Sequence, residues 1–255
     1  MARQKLGQHF LKSGGILEKI AVAACGEHIQ LAVEIGPGRG ALTEHLLAHA
    51  DHIVALEVDD SLVLHLQNRW SGEGRITVLH QDALKTDFST FGPGVLAGNL
   101  PYYAATAMIS RYLRNPGALS SGVFLIQKEV AERICARPGS RDYGYLSVES
   151  QFLAETQYLF TVPPGAFQPP PKVDSAVIRV TPRADEHTGL SPGEFLTFAS
   201  SCFRQKRKTL RNNLAGRYSK EAIAAEPLMS QRAEQLDLED LRALWKRLDA
   251  TSNGR

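Results

Sequence analysis

Leu31-Ala32-Val33-Glu34-Ile35-Gly36-Pro37-Gly38-Arg39-Gly40-Ala41-Leu42-Thr43 is the stretch that decides the fold. A short apolar run reads as a buried strand. It enters a turn holding three glycines, each one residue apart, and leaves it as a helix. The helix is predicted over residues 41–50, with Leu42, Leu46 and Ala50 four apart on one face and His45 beside it. Glycines between a strand and a helix let the backbone approach a ligand, and the helix N-terminus adds partial positive charge.

The same alternation continues outward from this stretch. Strands are predicted over residues 52–57, 76–80, 94–98 and 122–126, with helices over 62–70 and 104–114. Strands alternating with helices imply a parallel sheet covered on both faces. Residues 157–160 and 176–180 add two strands, with a proline-rich loop between them. Near residue 186 the pattern changes. Pro182, Gly189 and Pro192 mark a linker, and residues 192–214, 220–225 and 238–248 read as helices with no strand among them. The expected organisation is an α/β domain over residues 1–185 and a small all-helical domain over 186–255.

Composition sets the outer limits. Of 255 residues, 43% are hydrophobic and 22% charged, which excludes a disordered chain, a collagen-like repeat and a coiled coil. Cys25, Cys135 and Cys202 are too few and too scattered for a disulfide framework or a zinc site. The histidines show no metal-ligand spacing, so no metal is expected. The N-terminus is polar, and no apolar run approaches the ~20 residues of a membrane span. A cytoplasmic protein with no membrane contact is expected, and nothing demands more than a monomer. Net charge is +2, but residues 186–255 hold 12 basic and 9 acidic side chains. Within them Arg204, Lys206, Arg207, Lys208 and Arg211 give five positive charges in eight residues with no negative one, the signature of a polyanion surface.

The strand ends carry the candidate chemistry. Glu57 closes the second strand, 21 residues after Gly36, where a carboxylate accepts both hydroxyl hydrogens of a ribose. Gly36-x-Gly38-x-Gly40 is not the dinucleotide spacing, so a nucleoside without a pyrophosphate is the expected ligand. Asp82, after the third strand, is placed to accept from an adenine amino group. The plain alternative is a tight turn with helix-capping carboxylates. Asn99-Leu100-Pro101-Tyr102-Tyr103 follows the fourth strand. An adenine amine is a poor nucleophile because its lone pair is delocalised into the ring. The Asn99 side-chain oxygen and a main-chain carbonyl at Leu100 or Pro101 would hold its two N–H groups, and Tyr102 would stack a flipped-out base. The motif has no carboxylate, so positioning rather than a strong general base must carry the rate. The alternative here is a turn with core tyrosines.

Glu34-Ile35-Gly36-Pro37-Gly38-Arg39-Gly40-Ala41-Leu42-Thr43 together with Asn99-Leu100-Pro101-Tyr102-Tyr103 resembles the ribosomal RNA adenine N6-dimethyltransferases. Lys5-Leu6-Gly7-Gln8-His9-Phe10-Leu11, Gln127-Lys128-Glu129-Val130-Ala131-Glu132-Arg133, Phe167-Gln168-Pro169-Pro170-Pro171-Lys172-Val173-Asp174 and residues 203–214 strengthen the resemblance, which covers about residues 3 to 248. It points to the small-subunit branch of that family. It implies a Rossmann-like methyltransferase domain, a small helical C-terminal domain and S-adenosylmethionine as methyl donor. The implied substrate is two adjacent adenosines in the 3′-terminal hairpin loop of small-subunit ribosomal RNA, within an immature small subunit. Carried over, the implied cofactor contacts are His9, Leu11, Gly36, Gly38, Glu57, Asp82 and Asn99. The catalytic residues are Asn99, Leu100, Pro101 and Tyr102, with Phe167 stacking the target adenine from the other side. Position 9 is often Asn in relatives, and His retains a hydrogen-bonding nitrogen.

The basic run would neutralise RNA phosphates from a helix, with Asn212 and Asn213 bonding sugars or bases. Arg137 and Arg141, around the loop Pro138-Gly139-Ser140, would add a second patch near the active-site mouth, and Arg3, Lys5 and Lys12 would add N-terminal contacts. Two rivals follow from the same residues. One is a large-subunit adenine methyltransferase of the macrolide-resistance type. The other is a non-catalytic RNA-binding assembly factor.

Overall fold

Ala32, Val33 and Ile35 are buried on alternate and successive positions alike, as a strand covered on both faces requires. The structure, a computed structural model, describes residues 9–183 and 192–252. Arg3, Lys5 and the linker glycine Gly189 lie outside the described residues.

In chain order the elements of the first part are β1 (Phe10–Leu11), α1 (Gly14–Cys25), β2 (Ile29–Ile35), α2 (Ala41–Leu46), β3 (Ala50–Glu57), α3 (Asp60–Arg69) and β4 (Ile76–His80). They continue as β5 (Gly94–Asn99), α4 (Ala105–Arg114), β6 (Leu119–Gln127), α5 (Lys128–Ile134), α6 (Tyr145–Leu153), β7 (Ala154–Val162), β8 (Phe167–Gln168) and β9 (Ser175–Pro182). The helices α7 (Pro192–Cys202), α8 (Leu210–Leu214), α9 (Lys220–Ala225) and α10 (Leu238–Ser252) complete the chain. No described helix is long and apolar enough to cross a membrane.

The main sheet has the order β4-β3-β2-β5-β6-β9-β7. Strands β2 to β6 run parallel, and β9 lies antiparallel to both of its neighbours. The chain moves from β2 to β3 on one side and places β5 on the other. The crevice above their carboxyl ends is therefore the topological switch point, where ligands bind in such sheets. Register lines the site up. Ile35 sits beside Leu56 and Gly98, so Gly36, Glu57 and Asn99 emerge in a row. One face of the sheet packs Ile20 and Ala21 of α1 with Leu42 and Leu46 of α2. The short β1 pairs β8, setting Leu11 opposite Phe167.

The chain divides into two compact units, residues 1–131 with 154–182, and residues 132–153 with 183–255. The first is a Rossmann-like α/β domain. The second is helical, and its core sets Phe152 against Phe195 in a tilted pair with centroids 4.5 Å apart and Trp245 edge-on to Phe195 at 5.9 Å. Residues 132–153 thus go with the helical unit, whereas a single cut at residue 185 assigns them to the first. Phe152 explains the difference, because its ring is buried among those of the later helices.

Two helix expectations are corrected. The helix after the glycine turn stops at Leu46, where Leu47 and His49 donate into a turn, and Ala50 opens β3 opposite Ile29. The helix expected over 192–214 breaks after Cys202. The Asn213 side chain donates to the carbonyls of Cys202 and Gln205 and accepts the Gln205 amide, so it caps the break.

Candidate active site

The loops after β2, β3, β4 and β5 enclose a cavity of about 350 Å³. Its lining includes His9, Leu11, Gly36, Gly38, Glu57, Asp82, Asn99, Leu100, Pro101 and Tyr102, so ten residues singled out from sequence converge on one space. Glu34, Phe10, Val58, Leu84 and Tyr103 line it as well.

Glu57 is 4% exposed, and among the described residues its carboxylate is held by main-chain amides. Its Oε2 accepts from the Gly38 amide at 3.3 Å, and its Oε1 from the amides of Val58 and Asp59 at 2.8 and 3.0 Å. The amides meet each oxygen from the main-chain side, and no described cation pairs with the carboxylate, which leaves it acceptor capacity for a neutral diol. The Gly38 bond also ties the glycine turn to β3. Gly36, Gly38 and Gly40 all have positive φ, and a Cβ on Gly40 would stand 2.0 Å from the Trp70 ring. Trp70 in turn lies under Arg69, whose guanidinium donates to the Arg39 carbonyl at 2.7 Å and to Glu44 Oε2 at 2.6 Å. The C-terminus of α3 therefore buttresses the turn from outside. Asp82 accepts the Leu84 amide through Oδ1, and Val58 and Leu84 leave apolar surface beside it.

Beneath these groups Glu34 is buried at 1% exposure. Its Oε2 accepts from Thr43 Oγ1 at 2.6 Å. Burial pushes its carboxyl up to about 8, against the Thr43 bond and with a further push from the Glu57 charge.

Asn99 ends β5 with its amide nitrogen donating to the His9 carbonyl at 3.2 Å. That bond commits Nδ2 and leaves Oδ1 as an acceptor. Pro101 O takes the amides of Ala104 and Ala105, which start α4. Of the two candidate carbonyls, Leu100 is thus the one left to accept, since among the described residues no donor reaches it. The His9 ring donates from Nδ1 to the Pro169 carbonyl at 2.8 Å and stacks on Tyr102 with centroids 5.9 Å apart. The Tyr102 hydroxyl is hydrogen-bonded with Ser175 Oγ at 2.6 Å, and burial raises its pKa.

Phe167 is placed differently from expectation. It is 2% exposed, belongs to the apolar core with Leu11 and Val177, and does not line the cavity. Its pairing with β1 turns it inward, so in this structure it offers no face to a base.

The basic residues lie in the second unit. Arg204, Lys206, Arg207 and Lys208 sit in the exposed turn between α7 and α8 rather than on a helix, and only Arg211 is helical. The Lys206 ammonium donates to the Arg141 carbonyl and lies 3.6 Å from Glu234, so it is engaged within the unit. The loop around Gly139 joins the same knot through Glu234, whose carbonyl accepts the Gly139 amide at 2.7 Å. Asn213 is buried at 4% exposure and occupied by the turn it caps, while Asn212 is exposed. Asn213 is therefore structural rather than an RNA contact.

Sequence reasoning missed Phe10, Glu34, Val58 and Leu84. Each stands within two residues of one it did select, and the signal was position near a strand's carboxyl end rather than residue type.

The sequence matches the ribosomal RNA adenine dimethylase family over residues 1–248. It is 44% identical to the ribosomal RNA small subunit methyltransferase A of Acidobacterium capsulatum, across 98% of this chain and 92% of that protein. It is 42% identical to the protein of the same name from Nitrosococcus oceani, across 96% and 95%. Among solved structures, a dimethyladenosine transferase from Plasmodium falciparum superposes with a TM-score of 0.81 at 26% identity, covering 96% of this chain and 98% of that one. The 23S rRNA methyltransferase ErmE superposes with a TM-score of 0.71 at 26% identity, covering 94% and 99%.

Proposed function

The chain belongs to the ribosomal RNA adenine dimethylase family, and from that premise we propose that it dimethylates N6 of two adjacent adenosines in the 3′-terminal hairpin loop of small-subunit ribosomal RNA. S-adenosylmethionine is the methyl donor, the immature small subunit is the substrate particle, and the enzyme works as a monomer.

The observation that carries this reading is the pair of acceptors at the end of β5. Asn99 Oδ1 is left open by the bond from Nδ2 to His9, and the Leu100 carbonyl is left open by the start of α4. Two acceptors next to each other match the two N–H groups of an exocyclic amine. Bonding both hydrogens draws the nitrogen lone pair out of conjugation and aims it away from them. Tyr102 forms the wall against which the adenine ring lies, its own orientation fixed by Ser175 and His9.

The donor set fits the cofactor. Glu57 is a buried, amide-held carboxylate suited to a ribose diol, and Asp82 keeps Oδ2 for an amino group. Val58 and Leu84 supply apolar surface for a purine between them. Glu57, Asp82 and Asn99, with the turn at Gly36 and Gly38, His9 and Leu11, would hold it. The cofactor supplies an electrophilic methyl carbon when bound. The protein orients the amine and excludes water from the cavity floor. No carboxylate accompanies Asn99 to Tyr102, so the proton lost after transfer passes to solvent.

Arg204, Arg207, Lys208 and Arg211 are offered as phosphate contacts, with Arg137 and Arg141 beside the same turn. Lys206 acts by fixing the turn.

The test is methyl transfer from labelled S-adenosylmethionine to two substrates offered separately. Label on immature small subunits and none on naked large-subunit RNA is expected. Label on large-subunit RNA alone would move the protein to the macrolide-resistance type, and the 44% and 42% relatives, both small-subunit enzymes by name, weigh against that.

A further inference from the structure

The aromatic side chains in and around the cavity are not equivalent. Phe167 is 2% exposed and packed into the core. Tyr102 is half-buried, with its hydroxyl on Ser175 and its ring on His9. Tyr103 is 69% exposed although it lines the same cavity. No other ring or cation covers it among the described residues.

The backbone beneath Tyr103 is fixed. Pro101 has its own φ locked, and its carbonyl accepts the amides of Ala104 and Ala105, closing the turn that holds Tyr103. A side chain with only two rotatable bonds on such a backbone presents a flat face at little entropic cost. An aromatic ring left in water gains on contact with any base, because every base has a π-face. The ring of Tyr103 stands mostly in water, whereas Tyr102, the wall assigned to the target base, is half-buried, so the two rings offer separate faces and a base on Tyr103 is a different one from the base against Tyr102.

We propose that Tyr103 is a stacking platform for the nucleobase flanking the target adenine. The flanking base stays on the rim while the target occupies the cavity, and the strand is held in register for transfer. This inference rests on the RNA-methylating reading above.

The experiment compares the wild-type enzyme with Tyr103→Ala and Tyr103→Phe on small subunits lacking the modification. It measures kcat and KM for the subunits, and cofactor affinity by calorimetry. For Tyr103→Ala the KM is expected to rise about ten- to a hundredfold, the range of one base stack on an aromatic side chain. The kcat and the cofactor affinity are expected to stay near the wild-type values, and Tyr103→Phe to restore the KM. An unchanged KM in Tyr103→Ala overturns the proposal. A fall in kcat at unchanged KM overturns it too, because the ring would then touch the target base. A loss of cofactor affinity assigns Tyr103 to the cofactor pocket, and failure of Tyr103→Phe to restore KM assigns the contact to the hydroxyl. An inactive wild-type enzyme would instead sink the RNA-methylating reading, and this inference with it.

Discussion

At the residue scale the chemistry rests on how Asn99 is held. Its nitrogen is committed to the His9 carbonyl, so the side chain cannot flip its oxygen away without breaking a bond. Asn99→Ala removes one of the two acceptors on the reacting amine. Methyl transfer is expected to fall about a hundredfold or more, the usual loss for one preorganised group at a reacting atom. Subunit binding is expected to survive, as a filter-binding titration reads. Glu34 gives a separate prediction. Its carboxyl titrates at about 8 in the folded protein against an ordinary 4.5, because it is buried beneath the Glu57 charge. Between these values the folded chain keeps a proton that the unfolded chain has released, so stability falls as pH rises through this window. Below the ordinary value both states are protonated and the group contributes no pH dependence. Glu34→Gln still accepts from Thr43 and carries no charge. It is expected to flatten the decline and to be the more stable protein at pH 8 by on the order of a few kcal/mol, as denaturant titrations at several pH values measure.

At the element scale the sheet was legible and the small elements were not. Ile35-Gly36-Pro37-Gly38-Arg39-Gly40 marks the strand, the turn and the helix through composition alone, and the register then places Glu57 and Asn99 beside Gly36. The length of α2 was not legible, because Ala50 fits a helical face and a buried strand equally well. Pairing with Ile29 decides the matter. Phe167 fits a stacking residue and a core residue equally well, and its two-residue pairing with β1 turns it inward. The break after α7 was hidden because nothing local marks it. Its cause is Asn213, eight residues beyond Gln205. Asn213→Ala leaves the Gln205 amide and the carbonyls of Cys202 and Gln205 without their side-chain partner. A loss of about 1–3 kcal/mol of stability is expected in thermal unfolding, with weaker RNA binding because the basic turn loses its frame.

At the scale of the whole molecule, near-neutral charge conceals a division of labour. The chain carries 29 basic and 27 acidic residues, yet the turn from Arg204 to Lys208 has four exposed cations and no acid among them. Replacing Arg207 and Lys208 together with Gln is expected to lower the slope of log affinity against log salt by about 1.5 for ribosomal RNA. The kcat at saturating substrate is expected to hold. An unchanged slope would remove these residues from the phosphate-contact set. The division into two units was legible only in part, because residues 132–153 leave the α/β sequence, join the helical unit and return to the sheet at β7. The central claim is the identity of the product. Immature small subunits would be incubated with the protein and labelled S-adenosylmethionine, the RNA digested, and each labelled nucleoside weighed and mapped. N6,N6-dimethyladenosine at two adjacent positions in the 3′-terminal hairpin is the predicted result. A methyl group on any other atom, or no methylation of the small subunit at all, would contradict the account.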